Sequence, residues 1–519
     1  MEVSGEDCTS IHFSIAIPDR NETAGSDRAS WTEENVMYMQ KILTAGLGLV
    51  AGIYLCGCTA GSTGQSSPTP TANATVNLVV TDTPPTDVTV LSFQVQITEA
   101  VLQPGNVSLL PRPVTVDLAQ LVSDTGFLAS TVIDSGTYTS MTMTLANPQV
   151  TIMNNGLSAV AVSGQTCAAG ATCTFAPALN NASVTISSGV FPITVAANST
   201  TGLNLDLSIP DLLQSDLSVT LANGTSVNLS VLPQPSSNSS QQAKVDDVFG
   251  TISSISGSQI GITTAFGDSL VLTGSGSTTY NYPASICSTA SSACLSVGQV
   301  VTTDLSLLGD GGLALNSISY AGNSGAQAVK GLVLSTDATA AIPTIQLLVQ
   351  RSINASSLTA GEVATVSFPT GAEYAIGTAT YPQASGAVFT SASDLMAGQE
   401  LVVNVGSNLV TGSAPSFTAS VAYLESSQLI GEVASVDSAT SSLSINGLSG
   451  LLVSSRPAIQ QMDVQTAATT EFVGFSPASM SAVGVGQFVA AKGPLFNTMG
   501  SSGYPTLCAI QLRERAAGN

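Results

Sequence analysis

Residues 248–256 read "VFGTISSIS", a glycine followed by alternating apolar and small polar residues, which is the spacing of a strand with one buried face. The same opening recurs as "AVKGLVLST" at 328–336 and "LIGEVASVD" at 429–437. Downstream of each stands a second element: Val297-Gly298-Gln299, Ala397-Gly398-Gln399 and Val485-Gly486-Gln487, each followed by an apolar strand. The two glycines of a block are 48, 67 and 55 residues apart, so the insertions belong in loops between fixed strands. Three copies of one small β-barrel or β-sandwich module are expected, over residues 246–322, 326–425 and 428–515. Within the first, Asp310-Gly311 reads as a hairpin turn.

Upstream of the repeats the chain carries more period-two segments. Leu91, Phe93, Val95, Ile97 and Val101 are expected on one face, as are Met141, Met143 and Leu145, and Leu203, Leu205, Leu207 and Ile209. Many such strands without a long helical pattern predict an antiparallel β-sandwich over residues 74–233. "LPQPSSNSSQQAK" then reads as a linker at 234–245, and Asp246-Asp247 at its exit as solvated charge. The fold class expected for the chain is thus all-β: a sandwich followed by three repeat modules.

The stretches "VNLVVTDTPPTDVTVLSFQVQITEAVLQP", "VTVDLAQL" and "GTYTSMTMTL" resemble the bacterial domain of unknown function numbered 4382, a lipoprotein-borne domain. The blocks opening at Gly250, Gly331 and Gly431 are similar to the domain of unknown function numbered 5666. These resemblances imply a fold and an envelope location, and no activity.

The N-terminal part points the same way. After Lys41, fourteen apolar or small residues run from Ile42 to Leu55, too short for a permanent span, which needs about 20. Leu55-Cys56-Gly57-Cys58 resembles a bacterial lipobox, which implies lipid on Cys58 and loss of Cys56 with the signal. On that reading residues 39–57 are a signal peptide and 58–73 a Ser/Thr/Pro/Gly tether. Residues 1–38 are then expected to be a disordered upstream extension, with translation starting at Met37 or Met39, and His12, Trp31 and Cys8 would be absent from the working protein. The expected location is the bacterial cell envelope, with the membrane as partner through the lipid anchor.

Composition narrows the chemistry. Net charge is −22 and no basic cluster occurs, which excludes nucleic acid as a partner class. Charged residues are 8% of the chain against about 25% ordinarily, so the surface is built of hydroxyls and amides that keep their character in acid. Cys167/Cys173 and Cys287/Cys294 enclose short loops and read as local disulfides, with zinc as the competing reading; Cys508 reads as a buried apolar residue. Beyond Cys58 there is no histidine to serve as an imidazole base, and no nucleophile or phosphate-loop motif.

What remains is carboxylate chemistry, for which Glu362, Glu373, Glu400, Glu425, Glu432 and Glu471 provide material without a motif. Asp82 and Asp87, flanking Pro84-Pro85, read as turn caps, with calcium ligation as the competing reading. Tyr138 is expected to pack over the sandwich with its hydroxyl on backbone. No cofactor is expected. The function expected is that of a non-catalytic envelope lipoprotein whose modules bind a glycan or an envelope protein or act as spacers. The alternative is an accessory part of a secreted degradative or transport system, with a carboxylate-based, glycosidase-like site in the first domain.

Overall fold

The computed structural model describes residues 73–515 apart from 84–88, 122–124, 157, 163, 215–216, 238, 379, 413 and 500–502. The expected signal segment with Cys56 and Cys58, the upstream extension, nearly all of the tether and Asp87 lie outside the described residues. Among these the chain is all β, with only two single-turn α-helices, Ile209–Leu212 and Gly450–Val453, and a few 3₁₀ turns. No described helix is long and apolar enough to cross a membrane.

The first domain packs two main sheets face to face. One has the order Val227–Val231, Thr200–Ser208, Asn73–Thr83, Gly126–Asp134; the other centres on Val90–Gln103 paired with Ser140–Met153. Alternating residues of both fill the core: Leu78, Phe93, Val95, Ile97, Met141, Met143, Leu205 and Leu207 are buried. Most pairings are antiparallel, whereas Asn73–Thr83 runs parallel to Thr200–Ser208. Val101 departs from the face expected for it. A β-bulge between Ile97 and Glu99 shifts the register, so Ala100 and Leu102 turn inward and Val101 is left half-buried.

Each repeat is a closed five-stranded barrel. The strands of the first are Gln241–Ser256, Gln259–Thr264, Ser269–Thr273, Val300–Leu308 and Leu313–Gly322. Strand one pairs with two, two with three, three with five in parallel, five with four, and four with one. The same circuit closes Ala328–Asp337, Thr344–Ile353, Val363–Ser367, Glu400–Val410 and Ser416–Leu424. It recurs in Ser426–Asp437, Ser442–Asn446, Met462–Gln465, Phe488–Met499 and Pro505–Cys508. Closure removes the exposed sheet edges, as in the Greek-key barrels of the OB type. The first strand begins at Gln241, within the stretch read from sequence as linker.

The recurring glycines have recurring reasons. A Cβ on Gly250, Gly331 or Gly431 would collide with the carbonyl oxygen of Thr263, Leu348 or Asn446, each on the neighbouring second strand. Two residues on, Ile252, Val333 and Val433 are fully buried in the three barrel cores. Gly298, Gly398 and Gly486 sit at φ of +88°, +87° and +86°, where a side chain is strained. Their N–H groups donate to Ile252, Val333 and Val433, whose own N–H groups donate to the carbonyls of Gln299, Gln399 and Gln487. Each glutamine Oε1 accepts the backbone N–H three residues earlier, from Ser296, Met396 and Gly484. The Gly-Gln element is therefore a brace that fixes strand four against strand one.

Candidate functional site

Between Cys58 and the C-terminus the sequence has only three lysines, and two of them are in the interior. Lys330, on strand one of the second barrel, and Lys492, on strand four of the third, are 2% and 0% exposed. Lys492 Nζ lies 2.9 Å from Asp247 Oδ2 and 3.4 Å from Asp246 Oδ2. Lys330 Nζ lies 3.5 Å from Glu400 Oε2 and 4.0 Å from Asp247 Oδ2. Asp247 of the first barrel thus answers a lysine from each of the other two.

Local backbone geometry turns Asp247 inward. Strand one of the first barrel bulges between Val245 and Val248, and Asp247 takes φ of +56°. Its N–H donates to Asp304 Oδ1 at 3.0 Å, and Asp304 Oδ2 accepts from Ser317 Oγ at 2.5 Å. The reading of Asp246-Asp247 as solvated linker charge is overturned: their side chains are only 17% and 15% exposed. Glu425, joining the second and third barrels, is 2% exposed; Thr302 Oγ1 donates to its Oε2 at 3.4 Å and its Oε1 has no hydrogen-bond partner.

These surroundings set the protonation states. Burial pushes Glu425 up to about 8, helped by the charges of Asp247, Asp304 and Glu400 and opposed by Lys330. Burial likewise pushes Asp304 up to about 6, with Asp246 and Asp247 adding to it and Lys492 opposing. Asp247 goes the other way: burial would raise it, but Lys330 and Lys492 together hold it below the usual carboxylate range. Lys330 stays charged, since the carboxylates around it outweigh the effect of its burial.

Beside this junction opens a cavity of about 340 Å³ between the first domain and the barrels, with Asp117, Asp247, Lys330, Arg351 and Glu400 among its walls. An ion pair between Arg112 and Asp268 stands at its edge, and Arg351 lies 4.8 Å from the ring centroid of Phe266. Asp117, the acid of "VTVDLAQL", accepts from Ser92 Oγ at 2.7 Å, Phe93 N at 2.8 Å, Ala119 N at 3.2 Å and Gln120 Nε2 at 3.4 Å. It caps a 3₁₀ turn and ties that turn to the neighbouring strand, with its carboxyl raised by burial.

Of the glutamates singled out as material for carboxylate chemistry, only Glu400 and Glu425 meet at the junction, beside Asp246 and Asp247. Glu471 pairs with Lys244 at 2.8 Å, and Glu362 accepts the N–H of Thr359 within a turn. Of Asp82 the structure gives a strand position opposite Leu207. Among the described residues no group of His, Cys, Asp and Glu is arranged to hold a metal ion. Cys167–Cys173 and Cys287–Cys294 are disulfides; Cys508 is a buried free thiol, pushed up to about 11 by that burial. Tyr138 is buried and its hydroxyl donates to Asp134 O at 2.7 Å.

The lysines were missed, although each is a lone charge inside an apolar strand, in "AVKGLVLST" and in "FVAAKGPLF". Such a residue is almost never fully buried unless paired, which is the signal that would have found them. No curated protein matches the chain. Residues 73–231, the sandwich, match the model of the family described as a domain of unknown function, DUF4382.

Proposed function

We propose that the chain is a non-catalytic lipoprotein of the bacterial cell envelope, held by lipid on Cys58, that presents its β domains as one braced unit. The sequence behind this reading is the short apolar core, the lipobox-like "LCGC" and the Ser/Thr/Pro/Gly tether. The observation that carries the non-catalytic part is the use made of the buried charges: Asp247, Lys330 and Lys492 come from three different barrels, and Asp247 pairs with both lysines. Groups so matched hold domains together, whereas a general acid or base needs an exchangeable proton beside a substrate. We further propose that the barrels are copies of the module numbered 5666, with an envelope glycan or protein as their partner.

A glycosidase-like site in the first domain is the second reading. It draws on Asp117, the buried carboxyl of that domain at the cavity wall, against which stand the four hydrogen bonds that commit it to the fold.

Radiolabelled fatty acid tests the anchor. Cys58→Ser should abolish incorporation and Cys56→Ala should leave it intact; label retained by Cys58→Ser contradicts the reading. Turnover of a glycan substrate that is lost in Asp117→Asn would move the enzyme to first place.

A further inference from the structure

The cavity beside the junction has the size of a small-molecule site, about 340 Å³ against a usual range of about 300–1,000 Å³. The charged groups of its walls answer one another or Lys492 behind them, with Arg351 acting on Asp117 and Asp247. Arg112 pairs with Asp268, Lys492 with Asp246 and Asp247, and Lys330 with Glu400 and Asp247. Asp117 is occupied by its four donors. An ionic ligand would enter as an uncompensated charge in a poorly solvated space, which is heavily penalised. A neutral ligand carries no such penalty.

The floor favours hydroxyl groups. Lys330 Nζ stands 3.5 Å from Glu400 and 4.0 Å from Asp247, beyond the roughly 2.7–2.9 Å of a direct charge-assisted hydrogen bond. A hydroxyl is donor and acceptor in one group, so it accepts from the ammonium while donating to a carboxylate. The edge favours a ring. Phe266, on the turn between strands two and three of the first barrel, is 37% exposed, with Arg351 set over its ring. A partly exposed aromatic ring on the wall of a cavity that also carries charged groups is a platform for the C–H face of a sugar.

We propose that this cavity binds a neutral saccharide of one or two rings, with its apolar face on Phe266 and its hydroxyls toward Lys330 and Glu400. This deepens the glycan-binding reading without depending on the anchor: a failed labelling at Cys58 leaves the site standing, and an empty site leaves the anchor standing.

Isothermal titration of the full chain with glucose, N-acetylglucosamine, maltose and cellobiose is the test, with phosphate and spermidine as the anionic and cationic probes. At least one saccharide should bind with one-to-one stoichiometry. Phe266→Ala should weaken it about tenfold. Ser269→Trp, placed at an exposed position on the cavity wall, should abolish it, and both variants should melt as the parent does. The proposal is overturned if no saccharide saturates, if neither substitution changes saccharide binding, or if phosphate or spermidine saturates while every saccharide fails.

Discussion

Asp247 and Glu425 lie in the same buried cluster and are held in opposite states. Asp247 faces two ammonium groups, so Asp247→Asn leaves Lys330 and Lys492 short of a countercharge in the interior. The expected loss is about 3–5 kcal/mol of stability, read as a lower denaturant midpoint. Glu425 is raised to about 8, so the folded protein holds its proton where the unfolded chain, near 4.5, has released it. Its contribution is fully present below about 4.5 and is lost as pH rises through about 8; Asp304, raised to about 6, adds a loss over the lower part of that window. Asp247, being lowered, acts in the opposite sense and withdraws stability only as pH falls below the usual carboxylate range. Stability should therefore peak in mild acid and decline toward pH 9. Glu425→Gln should flatten much of that decline while changing little at pH 5, as thermal melts across pH will show. A parent whose melting temperature rises steadily from pH 5 to 9 contradicts the assignment.

Among the elements, the barrel openings and Gly-Gln braces were legible because geometry forces their residue types. Only glycine tolerates the carbonyl beside Gly250, Gly331 and Gly431, or φ near +87° at Gly298, Gly398 and Gly486, and a requirement met three times shows as a repeat. Gly331→Ala should cost about 1–3 kcal/mol, since the methyl would meet the backbone oxygen of Leu348. A chemical denaturation midpoint unchanged from the parent would count against the close approach.

Variation between copies was harder to read. In the second barrel Asp394 accepts the N–H of Ser391 at 2.9 Å, whereas in the first Cys294 stands in that place, accepting from Ser291 at 3.4 Å and closing a disulfide to Cys287. The bulges at Val245/Val248 and Ile97/Glu99 were illegible because a bulge leaves no fixed residue type, yet it reverses the facing of all that follows. That is why Val101 and Asp247 were assigned to the wrong environments.

At the scale of the molecule, the junction depends on residues far apart in the chain, since Asp247 meets Lys330 and Lys492 only once three barrels have closed. No local pattern encodes such a meeting. Further contacts tie the domains: Thr174 Oγ1 donates to Gly361 O at 2.7 Å, Asn281 Nδ2 to Gly377 O at 2.8 Å, and Lys244 pairs with Glu471. Independent barrels would each unfold alone, whereas barrels sharing buried charges should lose their structure together, because separating them strands an ion in each. Differential scanning calorimetry of the full chain in mild acid measures this directly. The three barrels should unfold in one cooperative transition, and Asp247→Asn should divide it into separate transitions at lower temperature. Three independent barrel transitions in the parent, with Asp247→Asn displacing only one of them, would contradict the bracing role of the junction.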